Sequence, residues 1–133
     1  MKIVREIRNA DPVKSAKEVY KYLKEFMYED REHVVVIGLD NRNRPVFREI
    51  VSIGIVDSAL VCAREVFKKA IICSCRAIII AHNHPSGSQE ASAEDINMRD
   101  VMSKAGKILG IEVLDFLIIT ETGFISYREG GSI

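Results

Sequence analysis

The segment Ala77-Ile78-Ile79-Ile80-Ala81-His82-Asn83-His84-Pro85 constrains the fold more than any other stretch of the chain. Its opening run is apolar without alternation. A strand with one wet face alternates polar and apolar side chains, so a short unbroken run predicts a central strand covered on both faces. The flanking sequence supplies covering helices. A helix from Ser58 or Ala63 to Ser74 places Val66, Phe67, Ala70 and Ile71 on one side. A second, from Ser92 to Leu109, has Ile96, Val101, Met102, Ala105, Ile108 and Leu109 as its apolar positions. Ser92 can cap it and Gly110 can end it.

The remaining signals are local. Asp11 and Pro12 suit the start of a helix over about 12–27, whose stripe is Val13, Ala16, Val19, Tyr20, Leu23, Phe26 and Met27. That stripe is core or a partner face. The β-branched run 33–40, a polar turn from Asp40 to Arg44, and the run Val46 to Val56 predict a hairpin. Strands over 112–119 and 124–128, joined by Glu121-Thr122-Gly123, predict another. Helix, hairpin, helix, strand, helix, hairpin is the order of an α/β (α+β) sandwich with helices packed on a mixed sheet. With 133 residues the chain makes one domain, 1–133.

Charge and cysteine usage narrow the function classes. Nineteen basic residues balance nineteen acidic ones, so no basic excess supports sequence-independent DNA binding. No apolar run approaches the ~20 residues that span a bilayer. The N-terminal MKIVREIRNADP has charges where a secretory signal needs apolar residues, so a cytoplasmic protein with no membrane partner is expected. Cys62 stands alone and Cys73 is one residue from Cys75, which fits neither a disulfide framework nor a zinc knuckle. All three read as small buried apolar residues. Exposed strand edges leave a homodimer open.

The chemistry sits where the central strand ends. Residues two apart on a strand share a face, so His82 and His84 project together. Pro85 cannot continue the ladder and Gly87 favours a turn, which places the pair at the mouth of the sheet. Two imidazoles and one carboxylate suit zinc with an open fourth position. Asp95, in the first turn of the next helix, can supply the carboxylate once 85–91 folds back. Ser92 then caps that helix or turns its hydroxyl to the site. Zinc-hydroxide chemistry also needs a base for the water's proton. Glu32, Asp40, Glu49, Asp57 and Glu65 are all available, and spacing does not choose among them. Each residue has a plainer reading when taken singly. Ser92 is a helix cap, Asp95 a favourable charge on a helix start, Glu32 a solvated residue, and His33 a surface or strand-face residue.

The whole spacing is more specific. His82-x-His84-Pro85 followed by Ser92-x-x-Asp95 resembles the JAMM motif of JAB/MPN-type metalloproteases, and HNHPSG resembles the RadC-like branch of that superfamily. Glu32 with VVVIGLD resembles the family's glutamate-plus-strand block. Residues 54–58, 63–70, Leu114-Asp115 and 126–129 resemble further blocks, so the likeness runs from about residue 13 to 129. It implies a cytidine-deaminase-like three-layer sandwich, a mixed sheet flanked by helices. It also implies one zinc ion on His82, His84 and Asp95, Glu32 as general acid/base, and Ser92 holding the water or the oxyanion. The activity implied is hydrolysis of a peptide or isopeptide bond in a peptide or protein substrate. The family's traditional label is DNA repair, and its longer members carry an N-terminal helix-hairpin-helix module, for which this sequence shows no counterpart. A second departure is Phe116, where RadC-like sequences have histidine after Leu-Asp.

Three other readings compete with the hydrolase. A non-catalytic interaction module that docks DNA-repair or mobile-element proteins keeps the fold and the DNA-linked label. A zinc nucleobase deaminase needs His-x-Glu and Pro-Cys-x-x-Cys, which this sequence lacks. A nuclease on the same metal is disfavoured by the balanced charge.

Overall fold

The strand predicted to be central, β4 (Ala77–Asn83), is buried along its whole length. The computed structural model describes residues 4–26, 30–54 and 61–128. In it β4 lies inside a six-stranded sheet of order β1-β3-β2-β4-β5-β6. The other strands are β1 (Val4–Glu6), β2 (Glu32–Leu39), β3 (Pro45–Gly54), β5 (Glu112–Thr120) and β6 (Gly123–Ser126). β2 and β3 form the first predicted hairpin and β5 and β6 the second. β4 runs antiparallel to β2 and parallel to β5, so the sheet is mixed.

The parallel pair requires a crossover, which α3 (Ala93–Leu109) provides. α2 (Ala63–Ile72) packs on the same face. Val66, Phe67, Met98 and Met102 from these helices meet Val34, Val36, Ile78, Ile80, Phe116 and Ile118 of the sheet. On the opposite face α1 (Ala16–Tyr20) sets Ala16 and Val19, with Leu23, against Val35, Ile37, Ile79, Ala81 and Leu117. Three layers result, as the resemblance implies. Gly106, near the end of α3, has no room for a side chain: a Cβ there would collide with the Ile111 carbonyl oxygen just past the helix and touch Val113 of β5 at 3.5 Å.

Several boundaries differ from expectation, each because a long-range contact overrides a local signal. The first helix begins after Ser15, whose Oγ accepts the Glu18 N–H at 3.3 Å, and not at Asp11-Pro12. Val13 donates its N–H to the Asn43 carbonyl at 2.9 Å, a bond outside any helix. α1 ends at Tyr20, and a separate 3₁₀ turn follows at Lys24–Phe26. The stripe from Val13 to Leu23 is core; the Phe26 side chain and Met27 lie outside the described residues, as do Ile55, Val56, Asp57 and Ser58. α3 turns Asp95, Met98, Met102 and Gly106 to the sheet, which leaves Ile96, Val101, Ile108 and Leu109 exposed. Ile71 of α2 is also exposed. Among the cysteines only Cys75 is buried; Cys62 is half-buried and Cys73 exposed. Phe116, at the position of the family histidine, is a fully buried core ring. No helix among the described residues is long and apolar enough to cross a membrane.

The β2–β3 turn is held by one side chain. Asp40 accepts the N–H groups of Arg42 (2.8 Å) and Arg44 (3.0 Å) and pairs with the Arg44 guanidinium. Partial burial pulls the Asp40 carboxyl up, but these bonds outweigh it and hold the carboxyl below its usual value of 3.8. A lowered carboxyl stabilises the fold above its unfolded pKa and stops doing so as the pH falls through the folded one. Asp40→Asn is therefore expected to lower stability by about 1 kcal/mol at neutral pH. The difference from wild type should shrink below about pH 4, as read by denaturant unfolding across pH.

Candidate metal centre

Sheet register builds the site at the end of β4. Ile78 and Ile80 face α2 and α3, and alternation puts His82 on the same side. His84 follows the strand, its N–H donated to the Ile119 carbonyl at 2.9 Å. The two imidazoles stand edge to face, with centroids 4.8 Å apart. The chain then turns. Gly87, at φ +85°, returns its N–H to the His84 carbonyl, and the Ser88 carbonyl accepts from His84 Nδ1 at 2.8 Å. That bond fixes the ring and leaves Nε2 facing the site. Gln89 tacks the loop to the next hairpin, its Nε2 reaching the hydroxyls of Thr120 and Thr122 at 3.4 Å.

α3 brings the carboxylate. Ser92 and Asp95 form a reciprocal cap, with Ser92 Oγ accepting the Asp95 N–H at 3.1 Å and the Ser92 N–H reaching Asp95 Oδ2 at 2.8 Å. The Ser92 hydroxyl also donates to that oxygen at 2.8 Å. Ser92 is thus the cap of α3, its hydroxyl committed to Asp95. Asp95 is fully buried, with His82 Nδ1 at 2.5 Å from Oδ1 and His84 Nε2 at 3.0 Å from Oδ2. Burial would raise this carboxyl, but both imidazoles and the Ser92 N–H hold it far below the usual carboxylate range. The hydrogen bond to Asp95 in turn raises His84 above the ordinary imidazole value, against the opposing effect of burial.

β2 contributes the last member. Val34 is paired with His82, so Glu32, two residues earlier, emerges on the same face. Its Oε1 lies 3.8 Å from His82 Nε2. Of the four described carboxylates among the five that spacing left level, Glu32 is the one in the cleft. Asp40 closes the far end of β2, Glu49 stands midway along β3 opposite Val36, and Glu65 lies in the first turn of α2. Asp57 falls outside the described residues. His33 is buried, its Nδ1 at 2.9 Å from the Arg31 carbonyl, and belongs to the strand.

The cleft encloses about 390 Å³ and is lined by Glu32, His82, His84, Ser92 and Asp95 together with Glu90, Glu94 and Met98. Sequence reasoning passed over Glu90 and Glu94, since exposed acids around a helix start carry no signal of their own. The donor set fits a metal ion. Ligand atoms of His82, His84 and Asp95 lie within 4.8 Å of one another. His82 Nε2 is buried without a hydrogen-bond partner, a state that a cation in the cleft would relieve. Two nitrogens and a carboxylate oxygen suit a borderline divalent ion.

A mixed sheet between helical layers, with this cluster where its central strand ends, defines a JAB/MPN-type α/β domain. The family model for the RadC-like JAB domain matches residues 13–132, and the chain belongs to that family. Relatives include UPF0758 proteins of Pelodictyon phaeoclathratiforme (40% identical over 90% of this chain), Thermotoga maritima (36% over 95%) and Desulfitobacterium hafniense (45% over 82%). The matched regions are 54%, 57% and 48% of those proteins, so the chain spans about half the length of these relatives.

Elemental analysis of protein loaded with a divalent metal is expected to give about one ion per chain. Asp95→Asn or His82→Ala should abolish uptake. Protons compete for the same imidazoles, so bound metal should be released as the pH falls, which a metal-sensitive dye can follow.

Proposed function

We propose that this domain is a zinc-dependent hydrolase that cleaves a peptide or isopeptide bond. The observation that carries the reading is the Glu32 carboxylate beside the His82–His84–Asp95 cluster, in a cleft open to solvent. His82, His84 and Asp95 would hold the metal. Zinc bound there acidifies a bound water to a pKa of ~7 and polarises a carbonyl oxygen.

The chain's own groups do the rest. Glu32 takes the water's proton as the water attacks the carbonyl carbon. It then gives that proton to the leaving amine nitrogen, the C–N bond breaks, and the second water proton follows, leaving carboxylate and ammonium. The Ser88 carbonyl keeps the His84 ring in one orientation. The Ser92 hydroxyl donates to Asp95 Oδ2; once that oxygen holds the metal, the hydroxyl proton would be free to turn to the developing oxyanion. Glu90 and Glu94 add negative charge to the lining, which supports a peptide and disfavours a phosphodiester substrate.

Glu32→Gln is the direct test. It is expected to lower kcat by at least ~10²-fold and leave metal content unchanged. Unchanged turnover of every accepted peptide would refute the assigned mechanism. Zinc-loaded wild type that cleaves no peptide or isopeptide bond would favour the non-catalytic interaction module.

A further inference from the structure

β4 carries Asn83 between the two histidines, and alternation sends its side chain away from theirs. It is 2% exposed. Its carboxamide meets the chain entering β2 at two points. Oδ1 accepts the N–H of His33, and Nδ2 donates to the Arg31 carbonyl at 2.9 Å. The partners fix the amide orientation, because an N–H must face the oxygen and a carbonyl must face the NH₂. The two backbone groups so engaged lie on either side of Glu32.

Backbone pairing stops short of this place. The register between β2 and β4 ends at Val34 with His82, and the His84 N–H is committed to Ile119 of the other neighbour, β5. The Asn83 carboxamide therefore takes over where the β2–β4 ladder stops. It presents an acceptor and a donor to β2 in the way a strand backbone would.

The structure assigns Asn83 a positioning role. It holds the Arg31–His33 backbone against β4, so that the Glu32 carboxylate stands 3.8 Å from His82 Nε2. The inference rests on the hydrolase reading for what Glu32 then does. On its other side the start of β2 is paired with β3, Glu32 opposite Gly54 and His33 opposite Ile53; without the carboxamide that edge could draw away from β4, and a displacement of about 1 Å is enough to cripple a proton transfer. The effect should fall on Glu32 and spare the metal, because the Asn83 carboxamide bonds to the β2 backbone and not to the ligand side chains.

A double-mutant cycle on Co²⁺-loaded protein tests this, with acetohydroxamate as the probe and the cobalt absorption bands as the signal. The hydroxamate binds the metal and gives a hydrogen bond to a neighbouring carboxylate, so its affinity reports where Glu32 stands. Asn83→Ala is expected to weaken acetohydroxamate about tenfold in the wild-type background and to leave it unchanged in Glu32→Gln. Cobalt content and the spectrum without probe should stay as in wild type, and the His33 amide should exchange faster. Asn83→Ser runs through the same cycle in case the alanine variant folds poorly. Equal weakening in both backgrounds, no weakening in wild type, or an altered probe-free spectrum would overturn the role. If Glu32→Gln alone leaves the probe's affinity unchanged, the hydrolase reading fails at Glu32, and the inference falls with it.

Discussion

The mouth of the sheet depends on the burial of one carboxylate. Asp95 is shut away from water, and an ionised group in that position survives only among donors. Its hydrogen bonds come from two sources: the Ser92 N–H and hydroxyl at the start of its own helix, and the two imidazoles at the end of β4. One charge therefore caps α3 and ties that helix to the strand it covers. At the other end of the same helix the Gly106 carbonyl accepts the Ile111 N–H where the chain turns into β5. Between these points the helix has little freedom to slide, and the ligand set keeps its shape.

The two ends of the sheet use acidic residues for opposite purposes. At the far end Asp40 faces a guanidinium and backbone N–H groups within its own turn, where it serves the hairpin. At the mouth, Glu32, Glu90, Glu94 and Asp95 line one cleft with two histidines. Acids gathered in this way repel one another, and a bound cation offsets that repulsion. A chain of zero formal charge thus has a concentrated local field at one place.

Features set within a few neighbouring residues were legible in the sequence. The unbroken run of β4, the shared face of His82 and His84, the Ser92 cap and the Gly110 stop all follow from local sterics and hydrogen bonding, and all stand in the structure. Features that depend on distant contacts were not. The start of α1 turns on a bond from Val13 to Asn43. The choice of Glu32 among five carboxylates turns on the pairing of Val34 with His82 and on the family resemblance, since the strand itself carries no mark of it. The inward face of α3 is not marked by its apolar residues alone, because Gly106 and the buried Asp95 share it with Met98 and Met102. Asn83 passed unremarked, because a polar residue between two histidines looks like a spacer.

The distances along the chain between the site's members have a consequence for assembly. His82, His84 and Asp95 are close in sequence and belong to one strand–loop–helix unit, whereas Glu32 lies far upstream and arrives only when β2 docks on β4. Short-range contacts form with less loss of chain entropy than long-range ones. The segment that carries the candidate ligands is thus separable from the segment that brings Glu32. A nascent or partly opened chain could hold the His82–His84–Asp95 cluster together before Glu32 joins it, and the full cleft exists only in the completed sheet.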